Sequence, residues 1–373
     1  MRIGIDVRVV YHRQGGISWY AVRLLQALAA IDKENEYVLL QHHRNQEPIV
    51  SAPNFRRVTL YTPVHHRWEQ HPLSLETRRL GLDLLHSPDF IPPLRNAVPA
   101  VITVHDLGFL LYPNFVTAES ARYYGQTELA LHRASRIIAV SQSTRSDLVR
   151  LLGAPEGKIN VIYEAADPLY HPVDRAEAQS QLHQMGIDAP EQFLLFVGTI
   201  EPRKNLGTLL RAYHRLRSSY DFRFPLLLVG APGWLSSDIH DLVHQLDLSE
   251  SVRFLGSLAD NNSLRSLYNL ATMLVHPAHY EGFGLTPLEA MACGTPVVCS
   301  NAGSLPEVVG EAALLTPPDD VEAWTVAMHR IAWDADLRDG LSDKGIARAA
   351  TFSWEKAARE TLETYRQAVA AAV

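Results

Sequence analysis

Short uninterrupted apolar runs alternate along this chain with longer segments whose apolar residues recur every three or four positions. Seven such runs fall in the first half: RIGIDVRVV from Arg2, YVLLQHH, RRVTLYT, LLHSP, AVITVHD, RIIAVS and INVIYEA ending at Ala165. Six fall in the second half: FLLFVGT from Phe193, PLLLVGA, VRFLGS, MLVHPA, PVVCSN and AALLTP ending at Pro317. Runs without polar alternation are strands covered on both faces, so helices between them predict parallel sheets. Two series predict an α/β protein of two doubly wound domains, each expected to bind ligands at the carboxyl ends of its strands. After Ala165 and Ala166 the segment DPLYHPVDRAEAQ is rich in proline and charge and lacks strand periodicity, which marks the domain boundary. The chain closes on a helix opened by Ser353, with Trp354, Ala358, Leu362 and Tyr365 near one face.

The richest chemistry lies between Met273 and Gly310. An apolar run ends in a Pro, His and Tyr turn, glycines 282 and 284 flank Phe283, and a helix is expected from near Thr286 with Leu288, Met291 and Ala292 inward. A glycine turn feeding a helix leaves several backbone N–H groups pointing one way, which favours an anion such as a phosphate. Glu281 and Glu289 beside an anion site suit sugar and ribose hydroxyls as partners. Structurally, Thr286 to Glu289 also fits a capping box with proline at the first helical position.

A second anion site is expected in FLLFVGTIEPRKNLGTLLRAYHRL. Its strand ends at Gly198, Arg203 and Lys204 follow in a loop, and Asn205 can cap a helix carrying Leu206, Leu209, Leu210 and Tyr213 inward. Two cations at a helix N-terminus oppose its positive dipole end, and an anionic ligand resolves that conflict. Nearer the start, Gly15 and Gly16 precede a helix expected over Trp19 to Ala30, where Ser18 can cap and bare backbone can approach a ligand. This is not GxGxxG, so the dinucleotide fingerprint of a dehydrogenase is missing. His105 and Asp106 end the run AVITVHD and point at a strand-edge crevice. Ser141 reads as the cap of the helix that follows RIIAVS.

Composition narrows the partners. With 47% hydrophobic and 20% charged residues the chain is an ordinary globular protein, and its length of 373 residues accommodates two cores. A net charge of −7 argues against a nucleic-acid partner bound through its phosphates. The two cysteines, Cys293 and Cys299, sit inside apolar runs, which points to a reducing, cytoplasmic compartment, and no signal peptide or membrane-spanning run is read. The histidines, including His42 with His43 and His65 with His66 and His71, fall in no metal-binding spacing, so no metal is expected.

Taken together, EPRKN after a strand, HYEGFGLTPLEAMACGTPVVCSNAGSLPEVVG and the glycine pair near the start closely resemble glycosyltransferase family 4, a retaining family. The resemblance covers nearly the whole chain and is strongest from Phe193 to Pro318. It implies the GT-B fold, two Rossmann-like domains facing across a cleft, with residues 1–168 plus 353–373 as the acceptor-binding domain and residues 169–352 holding the nucleotide sugar. It further implies that Arg203 and Lys204 bind the donor diphosphate and that Glu289 holds the ribose. Glu281 would hold the sugar hydroxyls, and the backbone of Gly282, Phe283, Gly284 and Leu285 would contact phosphate or sugar. Gly15 and Gly16 would approach the diphosphate, and His105 would lie by the sugar. One departure is Thr199, where some relatives carry an arginine.

The expected reaction is transfer of a sugar from a nucleoside-diphosphate sugar to an acceptor hydroxyl with retention, without metal or cofactor; no convincing Asp-x-Asp motif is present. The phrasing of the motifs looks like bacterial mannosyl- or rhamnosyltransferases of surface-polysaccharide synthesis, making GDP-mannose the first donor and leaving UDP-glucose and UDP-N-acetylglucosamine open. Basic and aromatic clusters at HHRWEQH (65–71), Arg78 with Arg79, and Arg122 with Tyr123 and Tyr124 suit a saccharide or lipid-linked acceptor and a peripheral contact at the inner face of the membrane. The alternatives are an inverting transferase, a sugar-nucleotide epimerase, or a nucleotide-sugar-binding module without turnover.

Overall fold

The protein is described from a computed structural model over residues 1–12, 15–64, 66, 68–92, 98–112, 124–233, 237–258 and 260–371. His65, Arg67, Arg122 and Tyr123, named above in the basic clusters, lie outside the described residues. The chain divides into two compact units, Met1–Glu164 with Ser353–Val373, and Ala165–Phe352.

The first unit is built on a parallel sheet of β1 (Arg2–Asp6), β2 (Glu36–His42), β3 (Phe55–Leu60), β4 (Leu84–Ser87), β5 (Ala100–Val104), β6 (Arg136–Ala139) and β7 (Ile159–Val161). Its strand order is β3-β2-β1-β4-β5-β6-β7. The second has β8 (Leu194–Val197), β9 (Leu226–Val229), β10 (Val252–Gly256), β11 (Met273–His276), β12 (Val297–Ser300) and β13 (Leu314–Thr316) in the order β10-β9-β8-β11-β12-β13. Both are doubly wound, and in each the strand order reverses direction once, between β1 and β4 and between β8 and β11. Crevices at such points are where open α/β sheets bind ligands.

The helices that matter here are α1 (Gly16–Ile31), α2 (Gln70–Arg78), α3 (Leu206–Tyr220), α4 (Leu285–Ala292) and α5 (Trp354–Ala370). On α3 the residues Leu206, Leu209, Leu210 and Tyr213 are buried against Leu194 and Phe196 of β8 and Trp324, as their spacing predicts. Helix α5 is capped by Ser353, whose side chain accepts from the Lys356 amide. It packs on the first unit: the Tyr365 hydroxyl meets His86 Nδ1 at 2.7 Å, while His86 Nε2 meets Thr103 Oγ1 at 2.9 Å. Thr103 in turn meets the Tyr20 hydroxyl at 3.1 Å, so a fully buried polar chain ties the last helix to β4, β5 and α1.

Four local expectations are corrected. The run beginning at Arg2 leaves the sheet at Asp6, because Arg8 buries its guanidinium between Asp6 (2.6 Å) and Glu69 (2.6 Å) and Val9–His12 turn into a short helix. Helix α1 starts at Gly16 with Gly15 as N-cap, so Ser18 is inside it and donates to Val9 O instead of capping. Asn205 stands before α3 in left-handed backbone (φ 55°) and sends its amide to Pro318 O, without capping. Gly284, not Thr286, is the N-cap of α4, so the capping box does not form.

Candidate functional site

The loops that follow β8 and β11 meet at the reversal point of the second sheet. Gly198 ends the β8 run at φ +149°, and Pro202–Lys204 form a single 3-10 turn. A Cβ on Gly230, at the end of β9, would lie 2.0 Å from Gly198 O, so the two strand ends approach closer than any side chain allows. Across from this turn, β11 ends at His276 and the chain runs through Tyr280 and Glu281 into α4.

Arg203 and Lys204 are turned toward that second loop. Lys204 Nζ donates to Glu281 Oε1 at 2.5 Å, and Arg203 Nη1 donates to Glu281 Oε2 at 3.2 Å and to Tyr280 O at 2.8 Å. The other side of the Arg203 fork holds Glu201 Oε1 at 2.8 Å from Nη2. The His279 amide closes the contact on Arg203 O at 2.9 Å. His276 adds a third donor to Glu281 Oε1 at 2.8 Å, from Nε2.

Burial alone would push the Glu281 carboxyl up, but Lys204, Arg203 and the His276 hydrogen bond outweigh it and hold it well below the usual carboxylate range. Burial also lowers His276, which the Glu281 contact opposes and the two neighbouring cations reinforce. The imidazole is therefore neutral near pH 7, donates from Nε2 and leaves buried Nδ1 without a hydrogen-bond partner.

Ser304 fixes the glycine turn. Its hydroxyl donates to Glu281 O at 3.0 Å and to Phe283 O at 2.5 Å, and its amide donates to Glu281 O at 3.2 Å. Gly303 (φ +58°) leaves room for this, since a Cβ there would sit 2.6 Å from Glu281 O. Gly282, Phe283 and Gly284 are buried, and the first turn of α4 from Leu285 carries no side-chain cap. An anion of suitable size finds in that turn the positive end of a helix and two cations on the facing loop. Glu289 stands apart from this cluster, one turn into α4, where Tyr268 donates its hydroxyl to Oε2 at 3.2 Å. Thr199 is exposed.

In the first unit, His105 follows β5 and uses both ring nitrogens: Nδ1 meets Glu164 Oε1 at 3.1 Å and Nε2 meets Pro88 O at 2.9 Å. A carboxylate and a carbonyl on the two ring nitrogens favour the protonated ring. Burial would lower its pKa, but Glu164, the Pro88 carbonyl and Asp89 raise it overall. Gly15 (φ −164°) has extended backbone that any residue adopts, and a Cβ on Gly15 or Gly16 would meet nothing within 4 Å. Packing within the described first unit thus does not require either glycine.

The structure therefore brings Arg203, Lys204 and Glu281 together and adds His276, Glu201, Tyr268, Ser304 and Glu164, which the sequence reading passed over. Only the strand-end position of His276 could have drawn attention to it. Among the described residues no three His, Cys, Asp or Glu gather in a group able to hold a metal ion. Cys293 and Cys299 are free and buried.

Residues 14–168 match the family described as "Glycosyltransferase Family 4" and residues 178–348 match "Glycosyl transferases group 1". The chain is 33% identical to O-antigen chain mannosyltransferase B of Escherichia coli over 98% of this chain and 100% of that one. It is 32% identical to the serotype-specific mannosyltransferase WbdA of Escherichia coli over 71% of this chain and 33% of that longer protein. Among solved structures, a sucrose-phosphate synthase from Thermosynechococcus elongatus superposes with a TM-score of 0.81 at 27% identity, covering 99% of each chain. Two Rossmann-like parallel-sheet units, these family matches and these relatives agree: the chain belongs to glycosyltransferase family 4, has the GT-B fold, and is similar to bacterial mannosyltransferases.

Proposed function

We propose that this glycosyltransferase moves mannose from GDP-mannose to a hydroxyl of a saccharide or lipid-linked acceptor, with retention and without a metal ion, in cytoplasmic synthesis of a surface polysaccharide. The observation that carries the reading is the meeting of the Arg203–Lys204 turn with the Glu281–Gly284 turn at the β8/β11 reversal point. Cations on one loop and an uncapped helix start on the other are the donors a departing diphosphate needs, aimed where negative charge develops. The preference for mannose rests on the two mannosyltransferase relatives.

In this reading the bond between the anomeric carbon and the phosphate oxygen breaks and the acceptor oxygen bonds to that carbon from the same face. The acceptor proton passes to the diphosphate oxygen that has just been released. Arg203 and Lys204 hold the diphosphate. Glu281, kept ionised by its three donors, accepts from the sugar hydroxyls, and Glu289 accepts from the ribose. The backbone of Gly282, Phe283, Gly284 and Leu285 lines phosphate and sugar. On the first unit, Gly15 and Gly16, where a Cβ would meet nothing within 4 Å, offer bare backbone to the diphosphate, and His105 lies by the sugar.

Thermal-shift titration with GDP-mannose, UDP-glucose, UDP-N-acetylglucosamine and dTDP- and ADP-sugars tests the donor, since a ligand bound only by the folded state raises its melting temperature. Stabilisation by GDP-mannose above the others is expected; a clear preference for a UDP-sugar overturns the mannose assignment. Turnover in the presence of a chelator tests metal independence, and the anomeric configuration of the product, read by NMR, separates retention from inversion.

A further inference from the structure

The chain passes from the first unit to the second between Glu164 and Ala165 and returns between Phe352 and Ser353. The first crossing leads into the segment rich in proline and charge that marks the domain boundary in the sequence, and the reaction proposed above leaves its side chains without a part. It is nevertheless closely held. Asp167 accepts the Leu169 amide on Oδ1 at 2.9 Å and the Tyr170 amide on its carbonyl at 2.9 Å. Asn269 clamps the residues that follow, donating from Nδ2 to His171 O at 3.1 Å and accepting the Val173 amide on Oδ1 at 2.8 Å. Backbone bonded in this way keeps its side chains in fixed places.

Two buried side chains of this crossing each reach toward a residue that the sequence marks as part of the site. On the first unit the Glu164 carboxylate, 5% exposed, lies 3.1 Å from His105 Nδ1, while Pro88 O takes Nε2. On the second unit buried Tyr170 meets Tyr268 edge-on, with ring centroids 5.6 Å apart and planes at 75°. Tyr268 is fully buried in the helix Asn261–Leu270, and its hydroxyl donates to Glu289 Oε2 at 3.2 Å. Tyr170 thus fixes the ring whose hydroxyl fixes Glu289.

The return crossing repeats the pattern. Within the second unit Phe352 meets Phe283 of the glycine turn edge-on at 5.8 Å. Within the first, Trp354 meets Tyr20 at 5.8 Å, and Tyr20 meets the His105 ring at 4.7 Å. A tether needs only length and flexibility. These two crossings instead bear on a site residue at each of their four ends.

We propose that the crossings are positioning elements, in which Glu164 holds the His105 ring and Tyr170, acting through Tyr268, holds the Glu289 carboxylate. That His105 meets the sugar and Glu289 the ribose rests on the function proposed above; the hold on each of them does not.

Two substitutions in the full chain test it, one in each unit. Glu164→Gln keeps the shape of the side chain, and its amide can donate to a neutral His105 Nδ1 while Nε2 keeps Pro88 O, so the ring stays in place and loses its proton more easily. Burial lowers the His105 pKa, and Glu164 is the first of the contacts that outweigh it, ahead of the Pro88 carbonyl and Asp89; His86 and Tyr20 are the other titratable groups beside the ring. Histidine NMR is expected to show His105 titrating at lower pH in E164Q than in the wild type. For Glu289 the readout is the affinity for GDP against its 2′,3′-dideoxy analogue, measured by calorimetry. A hydrogen bond to a charged group makes GDP the tighter ligand by about 10- to 100-fold in the wild type. Tyr170→Leu should cut that ratio to about threefold, the size of a weak hydrogen bond, whereas Tyr170→Phe keeps the ring on Tyr268 and should preserve it. The ratio is the measure because a general loosening of the second unit weakens both ligands alike. An unchanged His105 titration in E164Q, or equal weakening of the two nucleotides in Y170L, overturns the proposal. A wild type that binds neither nucleotide, or both alike, while E164Q shifts the His105 titration, leaves the hold on His105 standing and removes the reading of the site proposed above.

Discussion

Replacing Lys204 by methionine isolates the electrostatics of the site, because methionine keeps most of the apolar stem and removes only the ammonium. Both Lys204 and Glu281 are 12% exposed, so the lost partner is not readily replaced by water. Stripping one member from a buried pair costs about 3–5 kcal/mol when the other is left alone. Glu281 is not left alone: Arg203 Nη1 stays at 3.2 Å and His276 Nε2 at 2.8 Å. We therefore expect about 2–3 kcal/mol at neutral pH, at or below the bottom of that range.

The sharper expectation is its pH dependence. In the wild type, burial and the nearby cations put the folded His276 pKa below its unfolded value, so acid favours the unfolded state, which takes up the proton. Lys204→Met removes one of those cations and keeps Glu281, so the folded pKa of His276 moves up. The variant then loses less stability than the wild type on acidification, and its deficit shrinks as pH falls below the ordinary histidine pKa, by about 1.4 kcal/mol per pKa unit regained. Because these residues lie in the second unit, the measurement is native-state hydrogen exchange at the amides of β8 and β11. Adding His276→Asn to Lys204→Met should abolish the pH effect. A deficit that is unchanged or larger at the lower pH refutes the account of how Glu281 is held.

Three further changes are informative. Glu289→Gln should weaken sugar-nucleotide binding by about 1–2 kcal/mol in calorimetry, while the hydrogen bond from the Tyr268 hydroxyl is kept by the amide oxygen. Tyr365→Phe should cost the first unit about 1–2 kcal/mol, seen as faster exchange in β4 and β5, and His86→Asn should flatten that unit's acid sensitivity. Burial drives His86 down to about 3, so its neutral form stabilises the fold above the ordinary histidine pKa and that contribution is lost as pH falls below it, by about 1.4 kcal/mol per unit. Gly284→Ala should cost about 1–3 kcal/mol and disturb the start of α4, since φ is +108° and the new Cβ lies 2.8 Å from Leu305 Cδ2; a melting temperature equal to wild type contradicts this.

The strands were readable because both sheets are parallel and covered on both faces, leaving short apolar runs that no amphipathic helix imitates. Where a run misled, a buried polar group was the reason: apolar periodicity continues past Asp6, but Arg8 has to be enclosed by Asp6, Thr62 and Glu69, and that turns the chain. The cap at Thr286 failed for a different reason: Gly284 takes a backbone conformation that begins the helix sooner. Arg203, Lys204 and Glu281 were legible as unusual residues at helix mouths. Their mutual pairing was not, because it joins positions 77 and 78 residues apart and depends on β8 and β11 being neighbours.

That pairing changes how the site has to work. Arg203 and Lys204 bring two positive charges, Glu201 and Glu281 two negative ones, and His276 is kept neutral, so the cluster is balanced before any ligand arrives. Unbalanced, two adjacent cations at the start of α3 would repel one another and the helix dipole and swing into solvent. Held by Glu281 and Glu201, they stay fixed and largely dry, where a further negative group is felt strongly. On the function proposed above, an arriving diphosphate shares these cations with Glu281 instead of meeting them bare, which costs ground-state affinity. The growing charge on the leaving phosphate then draws on donors already in place, and on that proposal the arrangement favours the transition state over the bound substrate.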